Sequence, residues 1–463
     1  MSDFTPDRLP TRLAPFASAP RCWIAFSGGL DSTVLLSAAA EVRARLPGEL
    51  LAVHIDHGLQ PGSGDWAAHC AGVCQALSIP IHIERLSPAG PSPGESLEAW
   101  AREARYRVFR RLLGPGEILL TAHHQDDQAE TLLLALLRGS GVHGLAAMPF
   151  SAPLGSGYLV RPLLEWSRGS LAEQARRRGL VWIEDPSNGV TTLDRNYLRQ
   201  EVLPRLRARW PAVSATLSRS ASHVAEAAGL VDRLADAALA EARGARPGSL
   251  SVPALEGLDR PLRKAVFRLW LRREGFVVSD ARHLDRILDE LLPARADANP
   301  VVGWPGCEVR RYRREVFALR PLPDPPSSSL RIDWRLGEGV SVLALPSGLG
   351  CLEWRPEPEG ARMGRDIQVR FGQTSLSCQR SPTAHRRSLK KLFQEAGVPV
   401  WLRPYLPMLF LDETLIAIAG VGACLGGTPA PGAAALSWSG HSWERVAPEF
   451  GSEIRIRCLD TPP

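Results

Sequence analysis

The residues Phe26-Ser27-Gly28-Gly29-Leu30-Asp31-Ser32-Thr33 join a short apolar run, residues 22–26, to a helix-forming stretch that begins near Asp31. Two adjacent glycines let the backbone turn sharply and aim its N–H groups at an anion, and the positive end of the following helix points the same way. Ser27, Ser32 and Thr33 add hydroxyl donors, and Leu30 a further backbone N–H, without adding negative charge. Asp31 has the wrong sign for direct contact with phosphate. Beside a polyphosphate it makes sense as a holder of Mg²⁺, whose charge reverses the local electrostatics.

Two further clusters carry chemistry. His54-Ile55-Asp56-His57-Gly58 places three polar groups at the end of an apolar run, which favours a loop lining a ligand pocket. His54 and Asp56 flank an apolar residue and share one strand face, and this argues against a metal site completed by Cys70 or Cys74. In His123-His124-Gln125-Asp126-Asp127-Gln128-Ala129-Glu130-Thr131, a helix would bring His123, Asp127 and Glu130 onto one face. Carboxylates gathered on one helical turn repel each other unless a cation or a basic substrate neutralises them. Asp126, Asp127 and Glu130 are therefore candidates for Mg²⁺ or for a substrate amino group, with Asp31 and Asp127 as the metal-binding pair.

The elements that must position these groups alternate. Strand-like runs at 22–26, 51–55, 79–86 and 117–122 are separated by helical stretches at about 31–45, 65–77, 95–113 and 126–138. That alternation predicts an N-terminal doubly wound parallel sheet, whose ligands bind at the carboxyl ends of the strands near the topological switch point. From 194 to 292 the pattern turns helical, with runs at 194–209, 213–243, 259–273 and 279–292. Pro321 to Ser329 is the clearest linker. Beyond it come short β-like pieces, a basic helix at 386–396 and apolar strands at 407–411 and 414–419, which together predict a small α+β domain. The expected division is a leader at 1–20, an α/β domain at 21–212, a helical middle domain at 213–320, the linker at 321–329, a C-terminal domain at 330–440 and a tail at 441–463.

Composition bounds the function classes. The chain has 463 residues, 44% hydrophobic and 22% charged, which excludes wholesale disorder. No run approaches the ~18 apolar residues of a membrane helix. Residues 1–20 read as a short polar leader without a secretory pattern. The eight cysteines form no C-x-x-C pair, so neither a disulfide framework nor a zinc ribbon is expected, and the cytoplasm is the expected compartment. Only three of the 55 basic residues are lysine, and the net charge is +6. Arginine suits phosphate recognition, although a coding bias would produce the same composition.

The bend at 26–33 resembles the S-G-G-x-D-S loop of the PP-loop (N-type ATP pyrophosphatase) family, whose members cleave ATP between the α- and β-phosphates. His54 to Leu59 is similar to the H-x-D-H-G-L sequence that borders the adenosine pocket in two branches of that family, although Gln60 stands where arginine often follows. H-x-x-D-D-x-x-E-T at 123–131, followed by Leu137-Arg138-Gly139-Ser140-Gly141, resembles the RNA-modifying members. Three more motifs resemble the tRNA(Ile)-lysidine synthetase branch. They are Trp182 to Asn188, which includes Asp185, then Arg195-Asn196-Tyr197-Leu198-Arg199, and the helix carrying Arg102, Arg105 and Tyr106. Residues 392–407 are similar to that branch's C-terminal domain.

The resemblance implies a PP-loop fold, ATP and Mg²⁺ as cofactors, and free L-lysine and a CAU-anticodon isoleucine tRNA as partners. The implied reaction adenylates the oxygen on carbon 2 of the wobble cytidine, and lysine then attacks that carbon and displaces AMP. It implies a pyrophosphate grip at 27–33, an adenosine pocket at His54, Asp56, His57 and His123, and catalysis by Asp31, Asp126, Asp127 and Glu130. Substrate and tRNA contacts would come from Arg102, Arg105, Tyr106, Arg138, Asp185, Asn188, Arg195, Asn196 and Arg199. The rival readings are a tRNA cytidine sulfurtransferase of the same family and a non-catalytic tRNA-binding protein. A homodimer is left open.

Overall fold

A computed structural model describes residues 3–58, 63–86, 97–184, 189, 191–278, 280–295, 298–336, 339–346, 348–356, 365–380, 383, 385–424, 434–441 and 454–456. The chain divides into two compact units, Met1–Leu230 and Val231–Pro463.

The first unit runs α1 (Arg8–Leu13), β1 (Arg21–Ala25), α2 (Leu30–Glu41), β2 (Glu49–Asp56), α3 (Ser63–Ala76), β3 (Ile81–Arg85), α4 (Leu97–Leu112), β4 (Ile118–Leu120) and α5 (Gln125–Leu137). It continues through α6 (Val142–Leu145), β5 (Ser151–Leu154), β6 (Gly157–Val160), α7 (Arg168–Arg177), α8 (Asp194–Tyr197), a π-helical turn at Leu198–Val202, α9 (Leu203–Arg209) and the start of α10 (Val213–Glu241). The sheet order is β3-β2-β1-β4-β6-β5, parallel except for the edge strand β5. β1 and β4 lie at its centre and are buried on both faces, which is why they read as continuous apolar runs. Alternate side chains of β1 feed opposite cores. Cys22 and Ile24 pack with α2 residues such as Leu35, while Trp23 packs with Val53, Phe109 and Leu119. The chain winds outward from β1 to β3, then returns through α4 to β4 on the other side of β1. The switch point therefore lies between the carboxyl ends of β1 and β4.

The expected α/β architecture is present, with one correction at its start. The segment read as a polar leader contributes Phe4, Leu9 and Leu13 to the core. Prolines and exposed polar residues dilute that apolar signal, and Leu9 and Leu13 are one helical turn apart. The hairpin β5–β6, unread in the sequence, closes the sheet edge.

The second unit holds helices at Arg260–Arg273 and Ala281–Arg286 where helical runs were expected. It also holds a four-stranded antiparallel sheet of Leu250–Ser251, Val301–Trp304, Cys307–Tyr312 and Glu315–Leu319. The middle segment is thus not purely helical. The missed strands are short and joined by a tight turn at Gly306, with φ +88, so none is long enough to show a clear period. Beyond residues 321–327, which carry no regular element, lie a five-stranded sheet, a four-stranded sheet and the helix Leu389–Glu395. The expected apolar strands appear as Met408–Leu411 and Thr414–Ile418. In the tail, Ile454–Ile456 pairs with Ala434–Ser439. Cys378 and Cys424 are disulfide-bonded. This single tie, where no framework was expected, is the only one among the described residues. No helix among the described residues is long and apolar enough to cross a membrane.

Candidate active site at the switch point

Gly29 is the N-cap of α2 and makes no side-chain cap bond, so the first N–H groups of the helix have no internal acceptor. Gly28 has φ +80, and a Cβ there would stand 3.0 Å from the Cys70 sulfur. Only glycine makes this bend without displacing the thiol. The hydroxyls expected to face an anion turn inward instead. Ser32 donates to the Gly29 carbonyl at 2.9 Å and lies 3.0 Å from the Ser27 hydroxyl, while Thr33 donates to Gly29 at 3.0 Å. They shape the bend, and the backbone N–H groups are left to serve a ligand. His54 shares that supporting role, with Nδ1 2.9 Å from the Phe26 carbonyl oxygen.

Asp31 stands in the first turn of α2. Its Oδ1 is buried with no partner among the described residues, and its Oδ2 lies 3.7 Å from His124 Nε2 and 3.8 Å from Arg168 Nε. His124 was not singled out in the sequence. It caps α5: Nδ1 accepts from the Asp127 N–H at 3.3 Å, and the His124 N–H donates to Asp127 Oδ2 at 2.9 Å. This reciprocal cap starts α5 at Gln125. His123 is therefore not on the helix, and its expected alignment with Asp127 and Glu130 is corrected. It instead lies 2.8 Å from the Thr121 hydroxyl. Loss of solvation, with help from Arg161, Arg195 and Arg102, pushes its pKa down to about 3.

The carboxylates on α5 do need a cation, and the chain supplies it. Arg195 donates to Glu130 at 2.8 Å and Asp127 at 3.1 Å, and Arg199 donates to them at 2.7 and 3.0 Å. The π-helical turn after Tyr197 belongs to the run of helix that carries both arginines. Asp126 accepts from the Arg168 N–H at 2.8 Å and pairs with Arg207. Arg168 and Arg207 carry no motif, and only tertiary packing brings them here. Burial alone would raise the pKa of Asp127, but His124, Arg195 and His123 outweigh it and hold the carboxyl at about 2, below its ordinary 3.8. A depressed folded pKa adds stability that is fully present above the unfolded value and is lost as pH falls through the folded one. Acid titration without divalent cations should therefore remove about 2 kcal/mol from the first unit between pH ~4 and ~2. Asp127→Asn should flatten that part of the profile when thermal unfolding is followed against pH.

Asp56 accepts from the Gly58 N–H at 3.0 Å. Arg105 lies 3.3 Å from His57 Nε2, and burial, Arg105 and His54 lower the His57 pKa to about 4. Arg102 stacks on Tyr106, 4.9 Å from the ring centre. Arg138 is exposed at the rim, 3.7 Å from Asp194. Asn196 sits on α8 beside Arg195, and Asp185 and Asn188 lie outside the described residues. Among the described residues no group of three or more His, Cys, Asp or Glu could hold a metal by itself.

A glycine bend feeding a helix at the switch point of a parallel sheet, with carboxylates facing it from β4's end, defines a nucleotide-binding domain of the PP-loop class. A family model described as "PP-loop domain" matches residues 7–206. Models described as "TilS substrate binding domain" and "TilS substrate C-terminal domain" match residues 250–317 and 367–438. The chain is 42% identical to tRNA(Ile)-lysidine synthase of Methylococcus capsulatus, over 86% of this chain and 90% of the relative. It is 41% identical to that of Coxiella burnetii, over 91% and 94%, and 44% identical to that of Pseudomonas putida, over 88% and 94%. The chain belongs to the tRNA(Ile)-lysidine synthase family.

Proposed function

We propose that this chain is an ATP-dependent ligase that joins lysine to carbon 2 of the wobble cytidine in a CAU-anticodon isoleucine tRNA, acting in the cytoplasm. The observation that carries this reading is the pairing of an ATP-handling bend with substrate-binding and C-terminal models of one RNA-modifying family along a single chain. The sulfurtransferase rival is not favoured by those models or by the relatives' names.

In the first step the base O2 attacks the α-phosphate of ATP, and pyrophosphate leaves. The backbone N–H groups that open α2 stabilise its growing charge. In the second step the lysine ε-amine, having lost a proton, attacks carbon 2. The C2–O2 bond then breaks and AMP departs with the former base oxygen. Asp127 and Glu130 receive the amine end of lysine, so the guanidiniums of Arg195 and Arg199 must release part of their hold when it enters. Freed in this way, those arginines, Asn196 and the rim residue Arg138 turn toward RNA. For Mg²⁺, the hard Oδ1 of Asp31, unpartnered among the described residues, fits, and Asp127 faces the same His124 ring. Bound there, Mg²⁺ supplies charge neutralisation to the phosphates.

Incubating the protein with ATP, Mg²⁺, lysine and a transcript of that tRNA, then analysing nucleosides by mass, should yield lysidine at the wobble position. An unmodified cytidine, or a thiolated one when a sulfur donor is added, would refute the assignment.

A further inference from the structure

Arg161 follows the last residue of β6 and is buried, with 6% of its surface exposed. Its Nη1 donates to the Pro149 carbonyl at 2.7 Å, the Tyr106 hydroxyl is a second neighbour, and its Nε has no partner among the described residues. Among the described residues neither Arg161 nor Arg102, which stacks on the Tyr106 ring, has a carboxylate within ion-pair distance. The acid cluster is the reverse case, since each of its carboxylates already faces a cation. A buried guanidinium without a counter-charge is costly to maintain, so an anion is expected there in the working complex.

Its place in the fold says which anion. The Thr121 N–H donates to the Val160 carbonyl at 3.0 Å, so the ends of β6 and β4 are adjacent, and His123 leads from β4 toward α5. Pro149, which holds Arg161, follows Met148, whose N–H and C=O are both bonded at 2.8 Å by the Gln128 side chain. Gln128 is the next residue after Asp127 on α5. Arg161 and Asp127 both act electrostatically on His123, so the uncompensated cation and the acid pair Asp127–Glu130 lie in one locality. A small molecule with an amine at one end and a carboxylate at the other suits this arrangement. A phosphodiester backbone does not, because Arg161 is sunk below the surface while Arg138 is exposed.

We infer that Arg161, assisted by Arg102, receives the α-carboxylate of the substrate lysine while Asp127 and Glu130 take its amine end. This assignment rests on the proposed function.

The test compares L-lysine with cadaverine, the same diamine without the carboxylate, in steady-state modification of the tRNA at saturating ATP. The native protein should prefer lysine by about 10- to 100-fold in kcat/KM, the range of one charge-assisted hydrogen bond. In Arg161→Gln that ratio should collapse to within about threefold of one, mostly through a higher KM for lysine. A merely structural arginine would lower both substrates together and leave the ratio intact, and that result overturns the inference. Should Arg161→Gln fail to fold, Arg161→Met, which keeps the apolar stem without the charge, and the exposed Arg102→Gln read the same ratio, and an unchanged preference in both is equally decisive against it. A native protein that modifies the tRNA with neither amine sinks the proposed function itself, and the carboxylate assignment with it.

Discussion

Asp31→Ala should lower tRNA-dependent pyrophosphate release by at least about 10²- to 10³-fold while leaving the protein folded. That range is the usual cost of removing one group that stabilises developing charge in a water-excluded site. The geometry of Asp31 separates its chemistry from its structural role. Oδ1 has no partner among the described residues, and the contacts of Oδ2 to His124 and Arg168 are long, 3.7 and 3.8 Å. Removing a carboxylate so weakly tied should change the unfolding free energy by about 1 kcal/mol or less. The result to look for is an inactive protein with a native melting curve. Normal pyrophosphate release from the variant would show that the bend does not handle the leaving group.

Glu130→Gln should behave in the opposite way, with stability and activity falling together. Its side chain is 1% exposed and accepts three hydrogen bonds from the guanidiniums of Arg195 and Arg199, at 2.7, 2.8 and 3.0 Å. Breaking one side of a buried pair leaves a charge uncompensated, at a cost of about 3–5 kcal/mol. The low end, about 3 kcal/mol, applies here because both arginines keep Asp127 and reach solvent. In urea unfolding of the full chain, the transition of the first unit should move to lower denaturant with little change in slope. An unchanged midpoint would mean that these ion pairs do not fasten the helix run 194–209 to α5. Lysine transfer should be lost in this variant as well, since Glu130 is half of the proposed amine-binding pair.

Much of this site was legible in advance because its signals are local. The bend at 26–33 declares itself through two glycines between a strand and a helix, and β1, β2 and β4 through short apolar runs between helical stretches. The need of the α5 carboxylates for a cation could also be read from their spacing. Its identity could not, because Arg195, Arg199 and Arg207 lie 65 to 81 residues away. His123 was placed on the helix because periodicity does not say where a helix begins. The cap formed by His124 and Asp127 decided that.

The alternation of β1 to β4 with α2 to α5, the glycine bend and the acidic helix start were determined by the sequence alone, since each depends on residues within a few positions of one another. Tertiary structure alone decided which charges meet. It turned the hydroxyls of Ser32 and Thr33 inward, set arginines against the carboxylates on α5, and left Arg161 buried without an acid of its own among the described residues. Ion pairing follows distance in space, and these distances exist only once the sheet has folded around its switch point.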